Sequence, residues 1–117
     1  VPAAIDFHES IGVANKAARL QYLRDLWAEP ARSNPRIDVL TPSGRSMYAG
    51  ITCFRLKGKT SDADNIALAK RLPDEFGIFA VHRIGLVKGA CIRVTPALFN
   101  SDRDVLKLKA ALDVIAA

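Results

Sequence analysis

The sequence predicts an α+β domain, a small and mostly antiparallel sheet with three helices, in a single domain over residues 1–117. Three observations lead there. Three segments carry apolar residues at helical spacing, and two pairs of short runs between them alternate apolar and polar residues. The order is helix, two strands, helix, two strands, helix. Ser61 and Ser101, each with an aspartate three residues on, mark the starts of the last two helices.

After a lead-in at Val1-Pro2, Ile5 to Glu29 reads as one long connecting helix. Phe7, Ile11, Ala14 and Ala18 form one apolar stripe; Val13, Ala17, Leu20 and Trp27 form another, with Leu23 beside it. Two stripes predict burial on two sides. Gly12 costs about 1 kcal/mol relative to alanine and marks a bend or a close contact. Pro30 is expected to end the helix. Residues 36–117 then form the α+β body. Arg36 to Leu40 reads as a strand, Thr41 to Gly44 as a turn, and Met47 to Leu56 as a second strand paired to the first as a hairpin. On that strand Ile51 and Cys53 share one face, and Thr52, Phe54 and Leu56 the other. Lys57 to Thr60 is a loop. The helix capped by Ser61 runs to about Leu72 and stops near Pro73, and Phe76-Gly77 turns the chain. Ile78 to His82 and Ala90 to Thr95 are strands separated by the loop Ile84 to Gly89. The last helix carries the stripe Val105, Leu108, Leu112 and Ile115.

Composition narrows the function classes. Half the residues are apolar and a quarter charged, which gives a globular chain with an apolar fraction high enough to suggest a surface covered by something else. Net charge is +5. The basic residues are scattered among acids and the few aromatics form no stacking platform, so no nucleic-acid partner is expected. Cys53 and Cys91 read as small buried hydrophobes in a reducing compartment. His8 and His82 lie far apart in no metal-ligand spacing. No apolar run is long enough to span a bilayer and no signal peptide is visible, so no membrane is expected and the location reads as cytoplasmic. The chain opens at Val1 and not at methionine, so a piece of a longer protein is expected.

Little in the chain carries chemistry. Gly58-Lys59-Thr60 echoes the end of a phosphate-binding loop but lacks the first glycine, and reads as a solvated turn. His82-Arg83 closes a strand before a glycine-containing loop, either as a surface pair or as a strand-end site facing a cleft. Arg93 shares a strand face with Cys91 and Thr95, while Ile92 and Val94 point the other way. It either pairs with a surface carboxylate or holds a ligand carboxylate through two parallel hydrogen bonds. With no catalytic machinery elsewhere, the reading is an anion-holding arm of a larger enzyme.

The run Arg93-Val-Thr-Pro-Ala-Leu-Phe-Asn-Ser101, followed by an acidic helix start, resembles the C-terminal signature of class V pyridoxal-phosphate enzymes. These include cysteine desulfurases, isopenicillin N epimerases and related aminotransferases. Phe79-Ala-Val-His-Arg-Ile-Gly85 resembles the family's strand end, and Ile11-Gly12 with Arg19 and Leu23 fits its connecting helix. The resemblance is specific over residues 79–112 and loose over 5–60. It implies the C-terminal small domain of a fold-type I enzyme, nearest the isopenicillin N epimerase-like group. By the same resemblance, a large domain of the same chain binds pyridoxal 5'-phosphate, the parent is a homodimer, and the substrate is an amino acid. Arg93 would hold its carboxylate, with His82 and Arg83 lining the same cleft. The loop Ile84 to Gly89 has no cysteine and Cys91 is misplaced for a nucleophile, so desulfurase activity is not expected. The cofactor-linking lysine motif is absent, so this chain is expected to hold neither catalytic nor cofactor-binding residues and to be inactive alone. Transaminase, epimerase and lyase remain open. The rival reading is a free-standing α+β binding or regulatory module without catalysis.

Overall fold

A computed structural model describes residues 2–44, 46 and 48–117. The expected lead-in at Val1 and strand start at Met47 lie outside the described residues. The elements are α1 (Pro2–Ile11), α2 (Val13–Arg32), β1 (Ile37–Val39), β2 (Thr52–Leu56), α3 (Asp62–Phe76), β3 (Val81–Arg83), β4 (Cys91–Val94) and α4 (Asp102–Ile115). The four strands form one sheet in the order β1-β2-β4-β3, antiparallel at every pairing. The α+β class is as expected; the helix count is four, not three.

The difference lies at Gly12. Its backbone (φ 88°, ψ 142°) is outside the helical region and open to glycine alone, so the long helix breaks into α1 and α2 there. Pro30 does not end α2, which runs to Arg32. A proline this close to a helix end removes one late hydrogen bond, and the buried Ala31 holds the last turn on the core. Pro73 behaves alike: α3 continues to Phe76 and ends at a left-handed Gly77, whose N–H donates to Pro73 O (3.1 Å) while Ile78 N–H reaches Leu72 O (3.1 Å). Both serine caps form. Ser61 Oγ accepts from Asp64 N–H, and Ser101 with Asp104 makes a reciprocal capping box.

β2 begins later than expected because the chain before it is held by α2 and not by a strand. Gln21 donates to Tyr48 O (3.2 Å), and a β-carbon at Gly50 would stand 2.9 Å from Leu20 Cβ. The Tyr48 ring lies 3.7 Å from the guanidinium of Arg24, which is fully buried on α2. Arg24 also donates to Thr52 Oγ1 (3.0 Å), Asp25 Oδ1 (2.9 Å) and Glu29 Oε1 (2.7 Å). One cation thus fastens α2 to β2 and to the loop before it.

The helices cover one face of the sheet. Leu23, Trp27, Phe54, Leu72, Ile92 and Leu112 centre the core, with Trp27 and Phe54 edge to face at 5.6 Å. Helix α1 buries no residue, and Ile5 and Phe7 stand exposed on it, as does Val13 at the start of α2. Burial of this helix on two sides is therefore not found among the described residues. The radius of gyration is 15.0 Å, where a compact chain of this length would have about 13 Å; the projecting α1 accounts for the excess.

Candidate functional site

The strand registers sort side chains onto the two faces of the sheet. Paired residues share a face, and neighbours along a strand alternate. Ile37 pairs with Leu56, Val39 with Phe54, Thr52 with Val94 and Phe54 with Ile92, all toward the helices. Asp38 pairs with Arg55, Cys53 with Arg93, Val81 with Arg93, and Arg83 with Cys91. These seven residues form the opposite, helix-free face, and three of them are arginines.

The three arginines are held differently. Arg55 is buried; its Nη1 donates to Lys88 O (2.8 Å) and its Nε lies 3.9 Å from Asp38 Oδ2. It braces the β3–β4 loop against β2. Arg83 is half-buried and, among the described residues, its side chain donates only to the His82 carbonyl (3.3 Å), a bond to the neighbouring backbone. Arg93 is half-buried at the middle of the sheet. Its Nε is shielded from solvent and has no hydrogen-bond partner, and no described carboxylate pairs with its guanidinium. Arg24, Arg32 and Arg55 also carry one unpartnered nitrogen, but each donates elsewhere to a described oxygen, and Arg93 does not.

The Cys91 thiol does not supply an anion for Arg93. Burial pushes the Cys91 thiol up to about 11, with the neighbouring Cys53 adding to the shift while Arg55 and Arg83 pull the other way. Cys91 is therefore neutral near pH 7. Both cysteines are free.

Of the residues the sequence singles out, the structure brings Arg83 and Arg93 together and sets His82 apart. His82 pairs with Ile92 and lies on the helix-covered face. The reason is simple alternation: successive residues on β3 cannot share a face, so a cleft lined by Arg83 is not lined by the His82 side chain. Arg55 and Asp38 were not singled out. Their common face depends on the β1–β2–β4 register, which residue types alone do not reveal. Beyond β4, Asn100 ties the turn: its Oδ1 accepts from Ala97 N–H (2.7 Å), and its carbonyl accepts from Arg19 (2.9 Å) on α2. Asp104 follows, held below the usual carboxylate range chiefly by the Ser101 backbone N–H and then by Asn100. A cleft of about 320 Å³ opens here between Val94, Thr95, Phe79 and Lys107. Gly58-Lys59-Thr60 is a turn after β2, with Lys59 N–H on Leu56 O and Lys59 O accepting from Asn65. Among the described residues no group of three or more histidine, cysteine, aspartate or glutamate side chains could hold a metal ion, and no helix is long and apolar enough to cross a membrane.

No protein-family model and no curated sequence matches the chain. Solved structures do. Tryptophan decarboxylase from Catharanthus roseus, in complex with L-tryptophan, aligns with a TM-score of 0.72 at 19% identity, over 92% of this chain and 23% of that one. The cystine C-S lyase C-DES, in complex with its product cysteine persulfide, aligns at 0.69 and 16% identity, over 94% and 27%. The Oryza sativa enzyme TDC with PLP aligns at 0.63 and 16% identity, over 89% and 22%. The fold is that of a small domain of fold-type I pyridoxal-phosphate enzymes. The chain spans about a quarter of the length of these solved chains. At such identities the likeness is one of fold.

Proposed function

We propose that this chain is the C-terminal small domain of a pyridoxal-phosphate enzyme acting on an amino acid, closing the active site and holding the substrate carboxylate through Arg93. The observation that carries the reading is the state of Arg93: fixed on a central strand, half-buried, and without a carboxylate partner among the described residues. Solved chains of this fold include pyridoxal-phosphate complexes, and they extend well beyond the part this chain matches. The exposed Ile5, Phe7 and Val13 offer apolar surface for the large domain to cover. The finer assignment is to the class V kind, nearest the isopenicillin N epimerase-like group, within a homodimer in the cytoplasm.

The seat of the cofactor itself is assigned to the large domain. The lysines of this chain are exposed or half-exposed, and Lys70 and Lys109 each pair with an aspartate one turn on. The cofactor's own chemistry is the electron sink it supplies when bound. What this chain supplies is position. Arg93 is a planar fork of fixed charge on a strand, and it sets a carboxylate in one orientation, which a lysine would not do as well. Ile51 and Phe79, exposed just before β2 and β3 at the Arg93 end of the sheet, would exclude water once the domain closes. His82 acts from the other face, its carbonyl accepting from Arg83.

The test is Arg93→Ala in the parent enzyme. Amino-acid kcat/KM should fall by the equivalent of about 2–5 kcal/mol while cofactor loading stays normal. Arg93→Lys should recover part of it, and an analogue lacking the carboxylate should turn over nearly as before. Equal losses on both substrates, or none, would make Arg93 structural.

A further inference from the structure

Arg93 does not stand alone on its face. β3 and β4 are antiparallel, with Val81 opposite Arg93 and Arg83 opposite Cys91. Arg83 is thus the diagonal neighbour of Arg93, at the separation of about 7–8 Å between α-carbons from which long side chains still reach a common ligand. Like charges at such positions repel. Asp38, the acid on this face, is directed to Arg55 and not to this pair. Arg55 is itself occupied by the Lys88 carbonyl, and Cys91, which lies between the other two along the strands, is a neutral thiol. Two permanent positive charges therefore share one face with no described counter-charge.

Resting on the carboxylate role proposed for Arg93, we infer that Arg83 and Arg93 together select a ligand with two carboxylates on a short aliphatic spacer, an acidic amino acid or its 2-oxo acid. Arg93 takes the carboxylate next to the reacting carbon, and Arg83 the distal one. Two separated planar forks suit two separated carboxylates, each held bidentately. A phosphate would instead favour a cluster of backbone N–H groups or a helix N-terminus. Arg93 sits on β4, between β2 and β3, where the backbone is used in pairing with both neighbours. Among the described residues Arg83 donates only to the carbonyl of the preceding residue, so its guanidinium can turn to a ligand without breaking a described tertiary contact.

The experiment measures dissociation constants by calorimetry for the full-length protein carrying this chain, with succinate, butyrate and inorganic phosphate as probes. Succinate should bind about tenfold or more tighter than butyrate. Arg83→Gln should bring succinate to the butyrate level and leave butyrate unchanged, with Arg83→Lys between the two. Arg93→Gln should abolish both. Butyrate binding that depends on Arg93, with no gain for succinate, would overturn the two-carboxylate assignment and leave the Arg93 role standing. Phosphate binding as tightly as succinate would also overturn it. If no carboxylate bound in an Arg93-dependent way, both assignments would fall.

Discussion

The helix side of the sheet and its open side are built from the same four strands and differ in whether the arginines on them meet a carboxylate. Toward the helices, Phe54 and Ile92 are fully buried, Thr52 accepts from the buried Arg24, and Trp27 Nε1 and Arg24 Nη2 stay without a hydrogen-bond partner. Toward the open side, Arg55 alone is braced, while Arg83 and Arg93 carry charges that no described carboxylate meets. A fold stabilises itself by satisfying buried polar groups. A face that leaves two arginine charges without a described carboxylate has room for an anion that is not part of the fold.

That contrast can be broken from either side. The largest effect belongs to the helix side: Phe54→Ala should cost about 3–5 kcal/mol in a urea unfolding experiment, because it opens a cavity against Trp27. A loss below about 1 kcal/mol would mean that the helices do not pack on this face as described. Ser101→Ala should cost about 1 kcal/mol by removing the cap of α4, and Asp104→Asn should weaken the same capping box. Asp104 sharpens the point with pH. Its pKa is depressed in the fold, so its contribution is present at neutral pH and lost as pH falls through the acidic carboxylate range. In Asp104→Asn the acid limb of the stability profile should flatten, and an unchanged limb would count against the box.

Cys91 offers a smaller test in the opposite direction. Its thiol is raised from 9.0 to about 11, so the folded state keeps a proton that the unfolded state releases between those values. Stability should therefore fall as pH rises from about 9 to 11, and less steeply in Cys91→Ala. If wild type and variant kept the same alkaline slope, the thiol would not be as buried as it is here.

Much of this organisation was legible in the residues. Alternation over Cys91 to Thr95 put Arg93 opposite Ile92 and Val94, and the two serine caps announced α3 and α4. What the residues could not show depends on partners distant in sequence. Nothing local places β4 between β2 and β3, so the diagonal approach of Arg83 to Arg93 and the brace from Arg55 to Lys88 were hidden. Nor does the modest helix penalty of a glycine say whether Gly12 will be tolerated or will break the helix, since packing decides that. Pro30 and Pro73 misled for the same reason: tertiary contacts at Ala31 and Phe76 carry each helix past the residue that should stop it.

The smallest stability effect carries the greatest weight. Arg93→Met keeps most of the side chain's apolar bulk and removes its charge and its unpaired buried N–H. Unfolding midpoint and carboxylate affinity should be measured side by side on this variant. Stability should stay within about 0.5 kcal/mol of wild type, or rise slightly, with carboxylate binding lost. A clear loss of stability with carboxylate binding retained would show that Arg93 serves the fold, and would contradict the claim that the open face of the sheet exists to hold an anion.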